Sequence, residues 1–165
     1  MGAWIGAAAC AAPPKEPEAP VAAKKETPRS LLDLDVALLS SSSSLPNASG
    51  AVQFRQPPEK PGLIRLEASV RGLAANAKYQ VQRAVDTRLD GVCTSREWLT
   101  LGADNMTPRT LDTDAQGSGR VELTRMLPPS AKSGDGFDIA FRVVEADSNP
   151  PLVVLESGCH RYVVR

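Results

Sequence analysis

The sequence predicts an all-β domain, a Greek-key β-sandwich or flattened barrel, and three observations support this class. Apolar and polar residues alternate in short runs, which is the period of a half-buried strand. Turn residues recur between those runs, among them 14 prolines and 12 glycines. No long stretch shows helical periodicity. Roughly seven to nine short strands with turn signals about every eight to twelve residues are typical of antiparallel sandwiches and barrels.

Four strands are predicted in the first half of the domain, each with apolar residues at every second position. The second and third form an antiparallel hairpin with one face exposed to solvent. On the fourth, Tyr79 and Val81 point to the apolar side while Gln80 and Gln82 point to the other. These strands cover residues 32–38, 51–56, 63–71 and 78–85.

Five further strands are predicted after the fourth, and they are again separated by glycine-rich or proline-rich turns. The clearest turn is residues 114–117, which lies between two apolar runs. The predicted strands cover residues 109–113, 119–127, 138–145, 152–155 and 159–164.

The charge balance and the single histidine exclude several classes of function. The chain has 19 Lys and Arg residues against 19 Asp and Glu residues, so it has no net charge to attract nucleic acid or an anionic membrane. With His160 as its one histidine, a zinc or copper enzyme would need a site built almost entirely from carboxylates. No phosphate-binding loop of the Walker or dinucleotide type occurs. We therefore expect no cofactor.

The N-terminal segment, residues 1–10, resembles the end of a secretory signal. Small apolar residues lead into Cys10, and this stretch resembles the lipobox of bacterial lipoproteins, although Ala7 stands where leucine is usual. The segment is short and lacks a basic region, which leaves open whether the native start lies upstream. We expect lipidation at Cys10; the other interpretation is a free cysteine in a frayed terminus.

Residues 11–30 form a predicted linker. Five prolines are interleaved there with alanines, lysines and glutamates, a composition that cannot bury a core and should stay extended. Such a spacer suits a domain held away from a membrane surface, although an ordinary disordered tail has the same composition. The predicted organisation is therefore a signal-like segment, a linker and one domain over residues 31–165.

The three cysteines fall into two groups. Cys93 and Cys159 both lie in the predicted domain, and pairing them would close a loop of about 66 residues. In an oxidising compartment such a disulfide contributes roughly 4 kcal/mol. Two cysteines in the domain and one at the tether are the pattern of an exported lipoprotein, so we expect a periplasmic or cell-envelope location.

A series of short motifs runs through the domain in a fixed order. It comprises Gly50-Ala51-Val52-Gln53-Phe54, an apolar strand over residues 63–70, Gly72-Leu73, Tyr79-Gln80-Val81-Gln82, Gly91-Val92-Cys93 and Cys159. This order resembles the copper/zinc superoxide dismutase family, in which a G-x-V-x-F strand precedes a second strand, a Gly-Leu turn, an aromatic-His-x-His strand and a Gly-x-Cys segment. The resemblance covers about residues 32–164 and implies the Greek-key sandwich and the Cys93–Cys159 disulfide.

The departures from that family remove its metal ligands. Gln80 and Gln82 stand where the resemblance implies two copper-ligand histidines, and amides are very poor copper ligands. Residues 94–100 replace the long loop that carries the zinc histidines, and Asp104 alone holds no structural zinc. Glu156 stands where the family has a substrate-guiding arginine. The resemblance therefore implies a dismutase scaffold without copper, zinc or dismutase activity.

Three hypotheses follow from these observations. The first is a catalytically inactive dismutase-like module of the cell envelope with an unknown protein or envelope partner, no nucleic acid, and membrane contact only through a lipid anchor at Cys10. The second is a residual metal-binding dismutase with rearranged ligands. The third is an unrelated Ig-like adhesion or accessory domain. A separation above ~7 Å between the Cα atoms of Cys93 and Cys159 would contradict the disulfide and weaken the resemblance.

Overall fold

The structure, a computed structural model, describes residue 2, residues 34–103 and residues 107–165. Cys10, the predicted linker and Asp104 lie outside the described residues. Within these ranges the chain forms ten strands and no helix, so the predicted all-β class is confirmed. None of the described residues belongs to a helix that could cross a bilayer. The strands are β1 (Leu34–Ser40), β2 (Ser49–Arg55), β3 (Leu63–Arg71), β4 (Lys78–Asp86), β5 (Leu99–Thr100), β6 (Thr110–Asp112), β7 (Gly119–Met126), β8 (Gly136–Glu145), β9 (Val153–Glu156) and β10 (His160–Val163).

All strand pairs are antiparallel and form one curled sheet in the order β5-β4-β8-β9-β1-β2-β3-β7. Strand β6 pairs with β4, and β10 pairs with β8. The neighbours β3 and β7, like β4 and β8, are not consecutive in the chain, as in Greek-key folds. Isolated bridges from Gly102 to Thr124 and from Thr113 to Gly119 bring the two ends of this order together. The sheet therefore curls into a flattened barrel.

The alternation of side chains decides which face of each strand is buried. On β3, Ile64 and Leu66 are buried, whereas Arg65 between them is exposed. Because the side-chain period is two, a shift by one residue would expose the apolar set, so the β2–β3 pairing has one register. Nine strands were predicted from this alternation. The tenth, β5, has only two residues and is too short to show a period.

Aromatic rings fill the centre of the core. The ring of Phe54 lies 4.2 Å from that of Tyr162 and 6.4 Å from that of Phe141, measured between centroids. Phe137 packs on the other side of Tyr162 at 5.3 Å. Phe141 is fully buried. These rings connect β2 with β8 and β10, two strands that come much later in the sequence.

A buried amide fixes the C-terminal strand to the rest of the barrel. Gln56, only 1% exposed, accepts hydrogen bonds from the Tyr162 hydroxyl at 2.7 Å and from the Arg165 backbone N–H at 2.8 Å. Its amide nitrogen donates to the carbonyl oxygen of Pro61. Both ends of the side chain are thus hydrogen-bonded, which a buried amide needs.

The β6–β7 turn depends on a glycine with positive φ. Asp114 Oδ1 accepts hydrogen bonds from the N–H groups of Gln116 and Ser118, both at 2.9 Å. Gly117 follows with a φ of 73°, and its carbonyl oxygen accepts a hydrogen bond from the Leu73 N–H at 3.1 Å. A Cβ at Gly117 would come within 2.1 Å of the Leu73 carbonyl oxygen. The turn therefore packs too closely against the β3–β4 connection for any other residue.

Replacing Gly117 with alanine should lower the free energy of unfolding by about 3 kcal/mol, through backbone strain and this overlap. Gly91 is a matched control, because its φ is 77° but a Cβ there would meet nothing within 4 Å. Gly91→Ala should lower the free energy of unfolding by only about 1 kcal/mol. Urea unfolding of both variants measures the difference. Equal losses would mean that the approach of Gly117 to Leu73 has no energetic effect.

Candidate functional site

Gln80 and Gln82, which the resemblance described above equates with copper ligands, lie on the outer face of β4. They are alternate residues, so they share this face, whereas Tyr79 and Val81 point into the core. Gln82 is nevertheless buried, at 8% exposure, because neighbouring side chains cover it. The prediction that both glutamines share one side of the strand is consistent with this pattern.

Each polar end of Gln82 already has a partner. Its amide nitrogen donates to the Thr100 hydroxyl at 3.1 Å, and its amide oxygen accepts a hydrogen bond from Arg142 Nε at 2.8 Å. The Thr100 hydroxyl lies 3.5 Å from the Gln80 amide oxygen, to which it donates. The glutamines are thus joined through strand β5, which crosses this end of β4.

Arg142 supplies the positive charge of this group. It lies on β8, opposite Gln82 on one side and opposite Glu156 of β9 on the other. Its guanidinium carbon is 4.2 Å from the centroid of the Trp98 ring, a cation–π contact. Burial lowers the pKa of Arg142, and the carboxylate of Glu156 acts in the opposite direction. We call Gln80, Gln82, Trp98, Thr100 and Arg142 the amide–arginine cluster.

The chemistry of the amide–arginine cluster opposes metal binding. The amide oxygen of Gln82 is directed at a guanidinium, and a fixed positive charge repels a second cation at such short range. Among the described residues, no group of three or more His, Cys, Asp or Glu side chains could hold a metal ion. His160, the single histidine, lies on β10 opposite Ile139. The cluster can orient and stabilise a surface, but its described side chains offer no redox centre.

Sequence reasoning identified the two glutamines but missed Arg142 and Thr100. Arg142 is 60 residues from Gln82 in the sequence, and the two meet only because β4 and β8 are paired. The available signal was a charged residue within the apolar run of β8. Its meaning depended on a strand order that alternation alone does not give.

The segment between β4 and β5, residues 87–98, is held by two carboxylates. Asp86 Oδ2 accepts hydrogen bonds from the N–H groups of Thr94 and Ser95, at 2.8 and 2.9 Å. Asp138 is completely buried, and its Oδ2 accepts a hydrogen bond from the Gly91 N–H at 2.7 Å. This short loop therefore has fixed positions along its length despite having no strand of its own.

The disulfide predicted between Cys93 and Cys159 is confirmed. The two Cα atoms are 5.3 Å apart, within the range that a disulfide requires and well below the limit of ~7 Å. The bond fastens residues 87–98 to the short segment between β9 and β10. The disulfide therefore adds a covalent link to the same loop that the hydrogen bonds to Asp86 and Asp138 hold.

Two residues discussed in the sequence analysis are not among those described. Cys10 and Asp104 lie outside the described ranges, so lipidation at Cys10 stays a prediction. Comparison with known proteins adds no assignment: the chain matches no family model, and no curated protein matches it significantly.

Proposed function

We propose that the domain is a non-catalytic binding or structural module of the cell envelope, built on a dismutase-like scaffold and tethered through Cys10. The observation that carries this proposal is the contact between Arg142 and Gln82. A guanidinium is hydrogen-bonded to the side chain that replaces an expected copper ligand. On the proposed scaffold, a charge that is already part of the protein would lie where the family has its metal.

The placement of the motifs supports the scaffold part of the proposal. The Gly50-to-Phe54 motif lies on β2, and the next apolar motif forms β3. Gly72 adopts a φ of 72° in the turn that follows, as a Gly-Leu turn needs. The aromatic–Gln–x–Gln motif lies on β4. An Ig-like domain with an unrelated strand order remains the competing hypothesis.

The disulfide supports the location. Disulfides persist in secreted and periplasmic proteins and are rare in the reducing cytosol. The bond between Cys93 and Cys159 therefore favours an exported domain.

Metal content tests the non-catalytic part of the proposal. The purified oxidised domain, incubated with copper and zinc salts and then desalted, should retain neither metal stoichiometrically and should not accelerate superoxide disappearance. The triple variant Gln80→His, Gln82→His and Arg142→Leu is the positive control, because two imidazoles on one face of a strand restore copper-binding groups and the repelling guanidinium is removed. This variant should retain at least ten-fold more copper than the wild-type protein. Stoichiometric metal with superoxide turnover in the wild-type protein would instead support a rearranged dismutase.

Membrane attachment tests the tether. Expressed in a bacterium that lipidates exported proteins, the full chain should incorporate labelled palmitate and sediment with membranes. Cys10→Ser should abolish both, while Cys93→Ser should leave palmitate incorporation unchanged. Equal labelling of the wild-type and Cys10→Ser chains would overturn the anchor without affecting the metal result.

A further inference from the structure

The hydrogen bonds of the amide–arginine cluster run in one direction. Arg142 can only donate, so its Nε–H faces the amide oxygen of Gln82 at 2.8 Å and turns the Gln82 amide nitrogen towards Thr100. The Thr100 hydroxyl accepts that bond at 3.1 Å, and it donates its own hydrogen to the amide oxygen of Gln80 at 3.5 Å. The arginine, an obligate donor, thus sets the orientation of every group along this chain of bonds.

This chain of bonds uses the oxygen atoms of the cluster and leaves donors over. The amide oxygens of Gln80 and Gln82 and the hydroxyl oxygen of Thr100 each accept one bond from within the cluster. Among the described residues, no hydrogen bond joins the Gln80 amide nitrogen or the two terminal nitrogens of Arg142 to a protein acceptor. Both side chains are only half-buried. The cluster is therefore complementary to a partner that supplies acceptors.

The guanidinium of Arg142 is held in place by the protein itself. Its hydrogen bond to Gln82 and its stacking 4.2 Å from the centroid of the Trp98 ring restrain it from two directions. Glu156 lies directly opposite Arg142 in the β8–β9 register, yet no hydrogen bond or ion pair joins these two described side chains. The guanidinium is turned towards β4 instead, and its terminal N–H groups stay available to an external anion. A side chain that is ordered in advance loses less entropy on binding.

The cluster lies on the outer face of the barrel and not in a cavity. None of its residues lines the open cavity of about 630 Å³ at one end of the barrel, whose walls include Arg83, Arg125 and Phe137. An outer face does not enclose a small molecule as ligand pockets do. Tryptophan and arginine are, however, the residue types that contribute most at protein–protein interfaces. The partner that fits Trp98 and Arg142 is therefore a protein rather than a small free anion.

We propose that the amide–arginine cluster is the partner-binding surface of this module, and that the partner is a protein segment that presents a carboxylate side chain to Arg142 and Gln80. A guanidinium matches a carboxylate through paired N–H donors, and such charge-assisted bonds are roughly twice as strong as neutral ones. The Gln80 amide supplies a further donor on the same face of β4. The inference rests on the proposed function and names the chemistry of its partner.

Titration of the isotope-labelled, oxidised protein with an acidic peptide, followed by nuclear magnetic resonance, tests the proposal. The probe is an acetylated and amidated peptide of alternating glutamate and leucine, and the comparison peptide has glutamine in place of each glutamate. The acidic peptide should shift the side-chain N–H signals of Gln80, Trp98 and Arg142 in a saturable manner. The glutamine peptide should bind at least ten-fold more weakly. Equal affinity for the two peptides, or no saturable shift with the acidic one, would overturn the proposal.

Substitution of Arg142 separates the cluster from a general attraction between opposite charges. Arg142→Leu should weaken binding of the acidic peptide at least ten-fold. Arg71→Leu is the matched control, because Arg71 is an exposed residue of β3 whose Nε donates to the Ser49 hydroxyl at 2.9 Å, and its loss removes the same charge. This control variant should bind the acidic peptide as the wild-type protein does. Equal weakening in both variants would mean that the peptide responds to net charge and not to the cluster.

A second variant leaves Arg142 in place and covers the case in which the leucine variant does not fold. Gln80→Glu puts an acceptor and a negative charge where the wild-type protein offers a donor, so it should weaken the acidic peptide at least ten-fold. Unchanged affinity would overturn the role of the outward-facing donors. Inorganic phosphate that shifts the same three signals at a lower concentration than the peptide would overturn a protein partner in favour of a phosphate-bearing ligand.

The failure of this inference and the failure of the proposed function give different results. A module without affinity for the acidic peptide would still retain no copper or zinc and would still incorporate palmitate at Cys10. Stoichiometric metal with superoxide turnover would overturn the proposed function whatever the peptide titration shows.

Discussion

Replacing Phe141 with alanine should lower the free energy of unfolding by about 4 kcal/mol, because it removes a large ring from a fully enclosed site. The side chain is fully buried and lies 6.4 Å from the ring of Phe54 across the barrel. The surrounding strands are hydrogen-bonded on both sides of β8, so they cannot move inward to fill the space. The loss therefore includes a cavity as well as the transfer of the ring to water.

Phe137→Ala is the matched control for this experiment, since it deletes the same ring from the same strand. Phe137 is only half-buried and borders the open cavity. Its removal should lower the free energy of unfolding by about 1–2 kcal/mol. Equilibrium unfolding in urea measures both variants. Similar losses would contradict a core centred on Phe141.

Removing the disulfide should have an effect of similar size. The bond closes a loop with a sequence separation of 66 residues. Without it the unfolded chain gains entropy, so the free energy of unfolding should fall by about 4 kcal/mol. The variant carries Cys93→Ala and Cys159→Ala, and both it and the crosslinked comparison protein carry Cys10→Ser so that no third thiol can exchange with the bond. Urea unfolding with and without dithiothreitol measures the change.

Two outcomes distinguish the crosslink from the side chains themselves. Dithiothreitol should bring the crosslinked protein to about the stability of the alanine variant and should leave that variant unaffected. If the crosslinked protein keeps its stability in dithiothreitol although its thiols titrate as free, loop closure does not stabilise the domain. In that case Asp86 and Asp138 would be the groups that hold residues 87–98.

The fold was largely predictable because strand alternation is a local signal. The inward residues of β3, such as Ile64 and Leu66, could be identified from the sequence since each strand face repeats every two residues. The pairing of β4 with β8 was not predictable in this way. It brings together Gln82 and Arg142, and no local pattern states which distant strand will lie beside another.

The amide–arginine cluster and the cavity at one end of the barrel differ in what the sequence could reveal. Gln80 and Gln82 were recognised because a resemblance assigned a role to their positions. Arg83 and Arg125 carried no such signal; Arg83 stands between the inward residues Val81 and Val85 of β4, and Arg125 follows the inward Leu123 of β7. Their common cavity exists only after the barrel has curled. A charged residue at an inward position is therefore worth noting in such sequences even where no motif surrounds it.

The hydrogen bond from Arg165 to Gln56 has a consequence for the order of events during synthesis. It joins residues 109 positions apart, and Tyr162 contacts the same amide across 106 positions. Contacts of such long range form late, after much chain entropy has been lost. The core around Phe54 cannot be completed until residue 165 has left the ribosome. The domain therefore finishes folding after translation of this segment rather than during it.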